Sequence, residues 1–159
     1  MRVGLVQLNS GDDPLANLQA TLGFVQEAAA GGARFVLTPE VTNFVSMDRA
    51  LAARVLHHEA DDPTLAALRD AAQALGIWLL VGSLALKTDD ADGRLANRSF
   101  MIGPDGIVVA RYDKIHMFDV EIDATESYRE SAGYRPGDRA VIAETDFGKV
   151  GMAVCYDIR

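Results

Sequence analysis

The chain has one cysteine, few basic residues and no long apolar run, and each shortage closes a class of function. A single thiol, Cys155, forms neither an intrachain disulfide nor a multi-thiolate metal site, so it is free and the expected compartment is the cytoplasm. Lys and Arg total 15 against 23 Asp and Glu, giving a formal charge of −8. Phosphate backbones and anionic membranes call for a basic surface, so neither is an expected partner. The amino terminus M-R-V-G-L-V-Q-L-N-S lacks the apolar segment and cleavage site of a secretory leader and reads as a first strand. Nothing later approaches a membrane span, and there is no internal repeat, low-complexity tract or interdomain linker.

What is present is the composition of a soluble globular domain, or part of one: 159 residues, 49% hydrophobic and 24% charged. Val3 to Leu8 is a first apolar run, followed by an Asp-Asp-Pro turn and a helix whose apolar face is expected at Leu15, Leu18, Leu22, Val25 and Ala29. Gly31-Gly32 ends it before the strand Phe35 to Leu37, the order of a βαβ unit with parallel strands. Asp48 to His58 reads as a short helix. Asp61-Asp62-Pro63 repeats the capping signal for a helix faced by Leu65, Leu68, Ala72 and Leu75 and closed by Gly76. Ile77 to Val81 starts another strand, and Ala96 to Ile102 and Ile107 to Tyr112 flank the turn Gly103-Pro104-Asp105-Gly106 as a hairpin. Residues 115–138 are too irregular for one element and long for a connection, which marks a functional loop. After a strand over Ala140 to Thr145, the run Val150 to Val154 reads as a strand buried on both faces and ending at Cys155. The fold class is mixed α/β.

Chemistry-bearing residues recur where strands end. Cys155 follows the last apolar run, Glu40 follows Thr38-Pro39 at the end of the second strand, and Lys114 follows Arg111-Tyr112-Asp113. Open α/β sheets bind ligands at such ends. Each residue also has an ordinary reading: free cysteine packs as a small hydrophobe, Glu40 and Lys114 are solvated charges, and Glu130 pairs with its neighbour Arg129 at the surface. His57-His58-Glu59 and His116 with Asp119 are ligand types for zinc, but adjacent histidines face different sides of a helix and the spacing is poor for a metal. His116 as base for Cys155 is a separate thiol-hydrolase scheme.

L-T-P-E at 37–40, Y-D-K-I-H-M-F-D at 112–119, Y-R-E-S at 128–131 and A-V-C-Y-D-I-R at 153–159 occur together, in order, across the whole chain. In this the sequence resembles the nitrilase superfamily of carbon–nitrogen hydrolases, and M-F-D and C-Y-D-I-R are most similar to its branch of deaminated glutathione amidases and ω-amidases. The resemblance implies an α-β-β-α sandwich with a mixed sheet, of which residues 1–159 are an incomplete amino-terminal portion ending just after the nucleophile. It implies Cys155 as nucleophile, Glu40 as general base, Lys114 as cationic stabiliser, Glu130 as a second, positioning glutamate, and the Tyr156 N–H as an oxyanion donor. It further implies no metal or organic cofactor, a homo-oligomer, and a small amide substrate, here an ω-amide bearing a carboxylate for which Arg129 and Arg159 are candidate partners. A chain ending here leaves a sheet edge and apolar surface uncovered, so weak folding or aggregation is expected when it is expressed alone. A non-catalytic module retaining part of the fold is the alternative.

Overall fold

Aspartate-led starts and glycine stops set out the helices of the computed structural model, which describes residues 1–123 and 126–159. After strand β1 (Val3–Leu5), Asp13 accepts the N–H groups of Leu15 and Ala16 at 3.0 and 3.2 Å and opens α1 (Pro14–Ala30). Strand β2 (Phe35–Leu37) follows, then α2 (Arg49–Val55), capped by Asp48. Asp62 caps α3 (Pro63–Leu75), which Gly76 ends in the left-handed conformation, φ 62°. The remaining strands are β3 (Trp78–Leu86), β4 (Leu95–Ile102), β5 (Val108–Asp113), β6 (Asp119–Glu121), β7 (Ser127–Arg129), β8 (Tyr134–Arg135), β9 (Ile142–Thr145) and β10 (Gly148–Gly151).

Five strands pair in the order β1-β2-β3-β4-β5, and β8 joins β4 to complete a six-stranded sheet. β1, β2 and β3 are parallel, as the helical crossovers demand, whereas β3-β4-β5 is an antiparallel meander. The period-2 alternation of strands gives the sheet two packed faces. Val36, Leu79, Val81, Phe100 and Ile102 face α1 and α3, packing with Val25, Leu65, Leu68 and Ala72. Phe35, Trp78, Met101, Ala110 and Tyr112 face the other way, onto Ala143, Met152 and Val154 from the β9–β10 ladder and the residues after it. β1 is an edge strand with Val3 and Leu5 exposed. Among the described residues no helix is long and apolar enough to cross a membrane.

Two readings of the sequence are corrected. Val150 to Val154 is not a strand buried on both faces of the sheet: β10 ends at Gly151 and pairs with β9 alone. The run lacks polar residues but alternates in size, so Met152 and Val154 pack against the sheet while the small Gly151 and Ala153 face outward. In α1 Val25 is buried and Leu22 and Ala29 pack against the core as expected, but Leu15 is exposed and the polar Asn17 and Thr21 are buried. Hydrogen bonding holds the first turns. Asn17 donates to the carbonyls of Gly11 and Asn43, both at 2.9 Å, and accepts the Gly11 N–H at 2.9 Å, tying α1 to the loop that follows Glu40. The stretch 115–138 holds the β6–β7 hairpin, a 3-10 turn at Glu130–Ala132 and β8.

Candidate active site

Glu40 stands on a turn pinned to the sheet from several sides. Thr38 and Thr42 share a hydroxyl hydrogen bond of 2.8 Å, Thr42 also donates to the Pro39 carbonyl at 2.7 Å, and the Val41 N–H donates to Ser83 Oγ at 2.8 Å. The turn crosses β3 so closely that a Cβ at Gly82 would overlap the carbonyl oxygens of Thr38 and Pro39. Glycine is required there by contact. Val41, next to Glu40, is held at φ 45°, a region that β-branched residues rarely enter.

Lys114 leaves the end of β5 and is 2% exposed. Its backbone is clamped by the Lys114 N–H to the Asn97 carbonyl (3.0 Å) and the Gly137 N–H to the Lys114 carbonyl (2.8 Å). The ammonium donates to Glu40 Oε1 at 2.9 Å and to Glu130 Oε1 and Oε2 at 2.9 and 2.8 Å. Burial disfavours its charge, but the hydrogen bonds to Glu130 and Glu40 outweigh that, and its pKa lies above the ordinary lysine value. Glu130 does not pair with Arg129, which turns out to Glu121 at 2.7 Å. Its carboxylate points inward and also accepts the Phe118 N–H at 2.7 Å.

Cys155 opens a 3-10 turn, Cys155–Ile158, at φ 51° and is exposed. A non-glycine residue in the left-handed region is strained, and such strain concentrates at functional positions. Asp157 holds the turn. Its carboxylate accepts the Val154 N–H (2.9 Å), the Tyr112 hydroxyl (2.7 Å) and the N–H groups of Ile115 (3.2 Å) and His116 (2.8 Å), which staples the Cys155 turn to the segment carrying Lys114. The thiol pKa is raised, by desolvation first, then by the charge and hydrogen bond of Glu40, with Glu130 adding to them; Lys114 alone pulls it down. With one ammonium between two carboxylates, the cluster favours the resting thiol. Lys114 therefore favours the thiolate but does not set the balance.

Glu40, Lys114, Glu130 and Cys155 line one cavity of about 830 Å³, a size that suits a small organic ligand. Tyr134 on its wall has a phenol pushed up to about 12, by burial and then by Glu130 and Glu40, and so stays neutral. Phe118 stands edge-on to Tyr156 with ring centroids 5.3 Å apart. Over residues 2–159 the chain matches the carbon-nitrogen hydrolase family. It belongs to that family. It is 37% identical to a deaminated glutathione amidase of Yersinia enterocolitica, covering 99% of this chain and 54% of that one. It is 32% identical to an omega-amidase of Homo sapiens, covering 99% and 55%. The fold superposes on the Caenorhabditis elegans NitFhit protein with a TM-score of 0.86 at 27% identity, covering 99% of this chain and 38% of that one. It superposes likewise on an amidase variant from Nesterenkonia sp. AN1 showing the result of Michael addition of acrylamide at the active site cysteine, with a TM-score of 0.79, 25% identity and 99% and 58% coverage. The chain spans about half the length of the curated relatives it matches.

Within this member of the carbon-nitrogen hydrolase family the other candidates lie elsewhere. His116 is turned toward Asp157, its Nδ1 3.0 Å from Oδ1, and is not part of the cavity wall. His58 lies 3.7 Å from Asp89, and Glu59 bridges Arg98 and Arg111 at 2.7 and 2.5 Å. Among the described residues no group of three or more His, Cys, Asp or Glu is arranged to hold a metal ion. Arg159 is exposed and off the wall. Two residues escaped the sequence reading. Asp157 is the staple just described, and Asn97, 2% exposed on β4, donates to Glu40 Oε1 at 2.8 Å and Glu130 Oε1 at 3.4 Å. A polar residue inside an otherwise apolar strand was the available signal for Asn97.

Proposed function

We propose that the protein is an amidase in which Cys155 forms a thioester with a small amide, a carboxylate-bearing ω-amide, and releases ammonia. The observation that carries this reading is the buried Lys114 ammonium bonded to both Glu40 and Glu130 on the wall that also bears Cys155. A resting thiol needs a base, and Glu40 is the carboxylate on the same wall whose charge raises the thiol pKa. In the reaction Glu40 takes the thiol proton as sulfur attacks the amide carbon, and Lys114 with the Tyr156 N–H receives the oxyanion. Glu40 then gives the proton to departing ammonia, and the thioester remains on sulfur. Water enters, Glu40 removes its proton, and collapse of the second tetrahedral intermediate returns the thiol and a carboxylic acid. Glu130 keeps the ammonium in place, and every proton is carried by groups of the chain.

Similarity to a deaminated glutathione amidase and to omega-amidases supports the choice of an amide bearing a carboxylate. The test is ammonia release from α-keto acid ω-amides and deaminated glutathione under reducing conditions, using the protein at its natural full length, with Cys155→Ala beside it. Release that disappears in the variant is the expected result. Release that persists would remove Cys155 from the chemistry, and none from either protein would favour a non-catalytic module.

A further inference from the structure

The charges on the cavity wall do not balance. Lys114 is taken by Glu40 and Glu130, Arg94 by Asp92 at 2.7 Å, and Arg129 by Glu121, which lies outside the cavity. Arg49 and Lys87 remain, and among the described residues neither has an ion-pair partner. In a protein of net charge −8, a concavity whose wall carries five cations against three carboxylates is the reverse of the overall field. A low-dielectric concavity of that sign concentrates anions.

The sheet fixes where these cations stand relative to the reacting groups. Ala85 of β3 is paired with Asn97 of β4, the residue whose amide touches both glutamates. Lys87 is two residues beyond Ala85, so by strand periodicity it shares a face with Asn97 at roughly 7 Å along the strand. The Lys87 backbone is held there by its N–H to the His57 carbonyl at 2.8 Å. Arg49, at the start of α2, reaches the same cavity from the helix side. We propose that Arg49 and Lys87 form the subsite for the substrate's carboxylate, a few bonds away from the amide at Cys155, and that Arg129 and Arg159 do not. This assignment rests on the amidase reading for the identity of the reacting end.

The test uses two amides of equal chain length, glutaramate with its carboxylate and uncharged pentanamide, on the protein at natural full length. The readout is the ratio of their kcat/KM values. In Arg49→Gln with Lys87→Met, the preference for glutaramate is expected to fall roughly 10- to 100-fold, the worth of a lost charge-assisted hydrogen bond. Arg54→Gln, a cation on the same helix but off the cavity wall, is expected to keep the wild-type ratio. An unchanged ratio in the double variant, or the same loss in Arg54→Gln, overturns the assignment. If the wild type hydrolyses neither amide, the amidase reading is left to the test on α-keto acid ω-amides, and calorimetric titration with glutarate judges the subsite. Binding weakened about tenfold or more by the double substitution supports it; equal binding, or none to the wild type, overturns it.

Discussion

Glu40 and Glu130 grip one ammonium from opposite kinds of ground. Glu40 stands on a turn locked to the central strands by Thr38, Thr42 and Ser83, so the backbone holds the carboxylate. Glu130 follows β7, whose residues are all exposed, and its carboxylate accepts hydrogen bonds from Lys114, Asn97 and the Phe118 N–H. Here the carboxylate helps to hold the backbone, beside the Asp119 carboxylate that accepts the Ser131 N–H at 2.9 Å. The sheet-borne half is thus organised by the core, whereas the excursion-borne half depends on the ion cluster and on local hydrogen bonds.

Removing the shared cation is the most severe way to break this comparison. Lys114→Met leaves two half-buried carboxylates facing each other across the space of a buried ammonium, and the expected result is loss of ammonia release by more than about a thousandfold together with about 3 kcal/mol of stability in urea melts. Next come the glutamates singly. Glu40→Gln is expected to cut ammonia release by roughly 10²- to 10⁴-fold, the range for a general base, and Glu130→Gln by only about tenfold. Equal losses would erase the distinction between base and support. The same Glu40→Gln change removes a charge that raises the thiol pKa, so the pH midpoint for iodoacetamide alkylation of Cys155 should move down although turnover collapses.

Asp157→Asn probes the staple. Burial pushes the Asp157 pKa up, but hydrogen bonds from the His116 and Val154 N–H groups and the Tyr112 hydroxyl more than reverse this, leaving it below the ordinary 3.8. A depressed carboxylate stabilises the fold above its unfolded pKa and stops doing so as pH falls through the folded one. The substitution is therefore expected to cost about 3 kcal/mol at all pH values from about 5 to 8, with the difference from wild type shrinking below about pH 4 in denaturant titrations. Smallest of all, Leu15→Ala should change stability by less than about 0.5 kcal/mol, because the side chain is exposed.

That last case marks where the sequence stopped being legible. Helix starts and stops, the βαβ order and the β4–β5 hairpin could be read because Asp-Pro, Gly and period-2 signals act locally. Glu40, Lys114 and Cys155 could be noticed because each lies where a strand was expected to end. The burial of Asn17 in place of Leu15 at the start of α1 could not, since it depends on Asn17 meeting a carbonyl 26 residues away. Nor could the inward turn of Glu130, whose partner Lys114 competes with the adjacent Arg129. The strand expected at Val150 to Val154 failed for a subtler reason: with polarity uniform, only side-chain size distinguished a face packed on the sheet from one turned away.

The Asp157 staple also has an ordering in time. Its donors, Tyr112, Ile115, His116 and Val154, all precede it in the chain, as do Glu40, Lys114 and Glu130. Synthesis proceeds from the amino terminus, and a ribosome delivering roughly 5 to 20 residues each second makes the whole ion cluster before it makes Cys155. The chain's single thiol is therefore made after both carboxylates that keep its proton on.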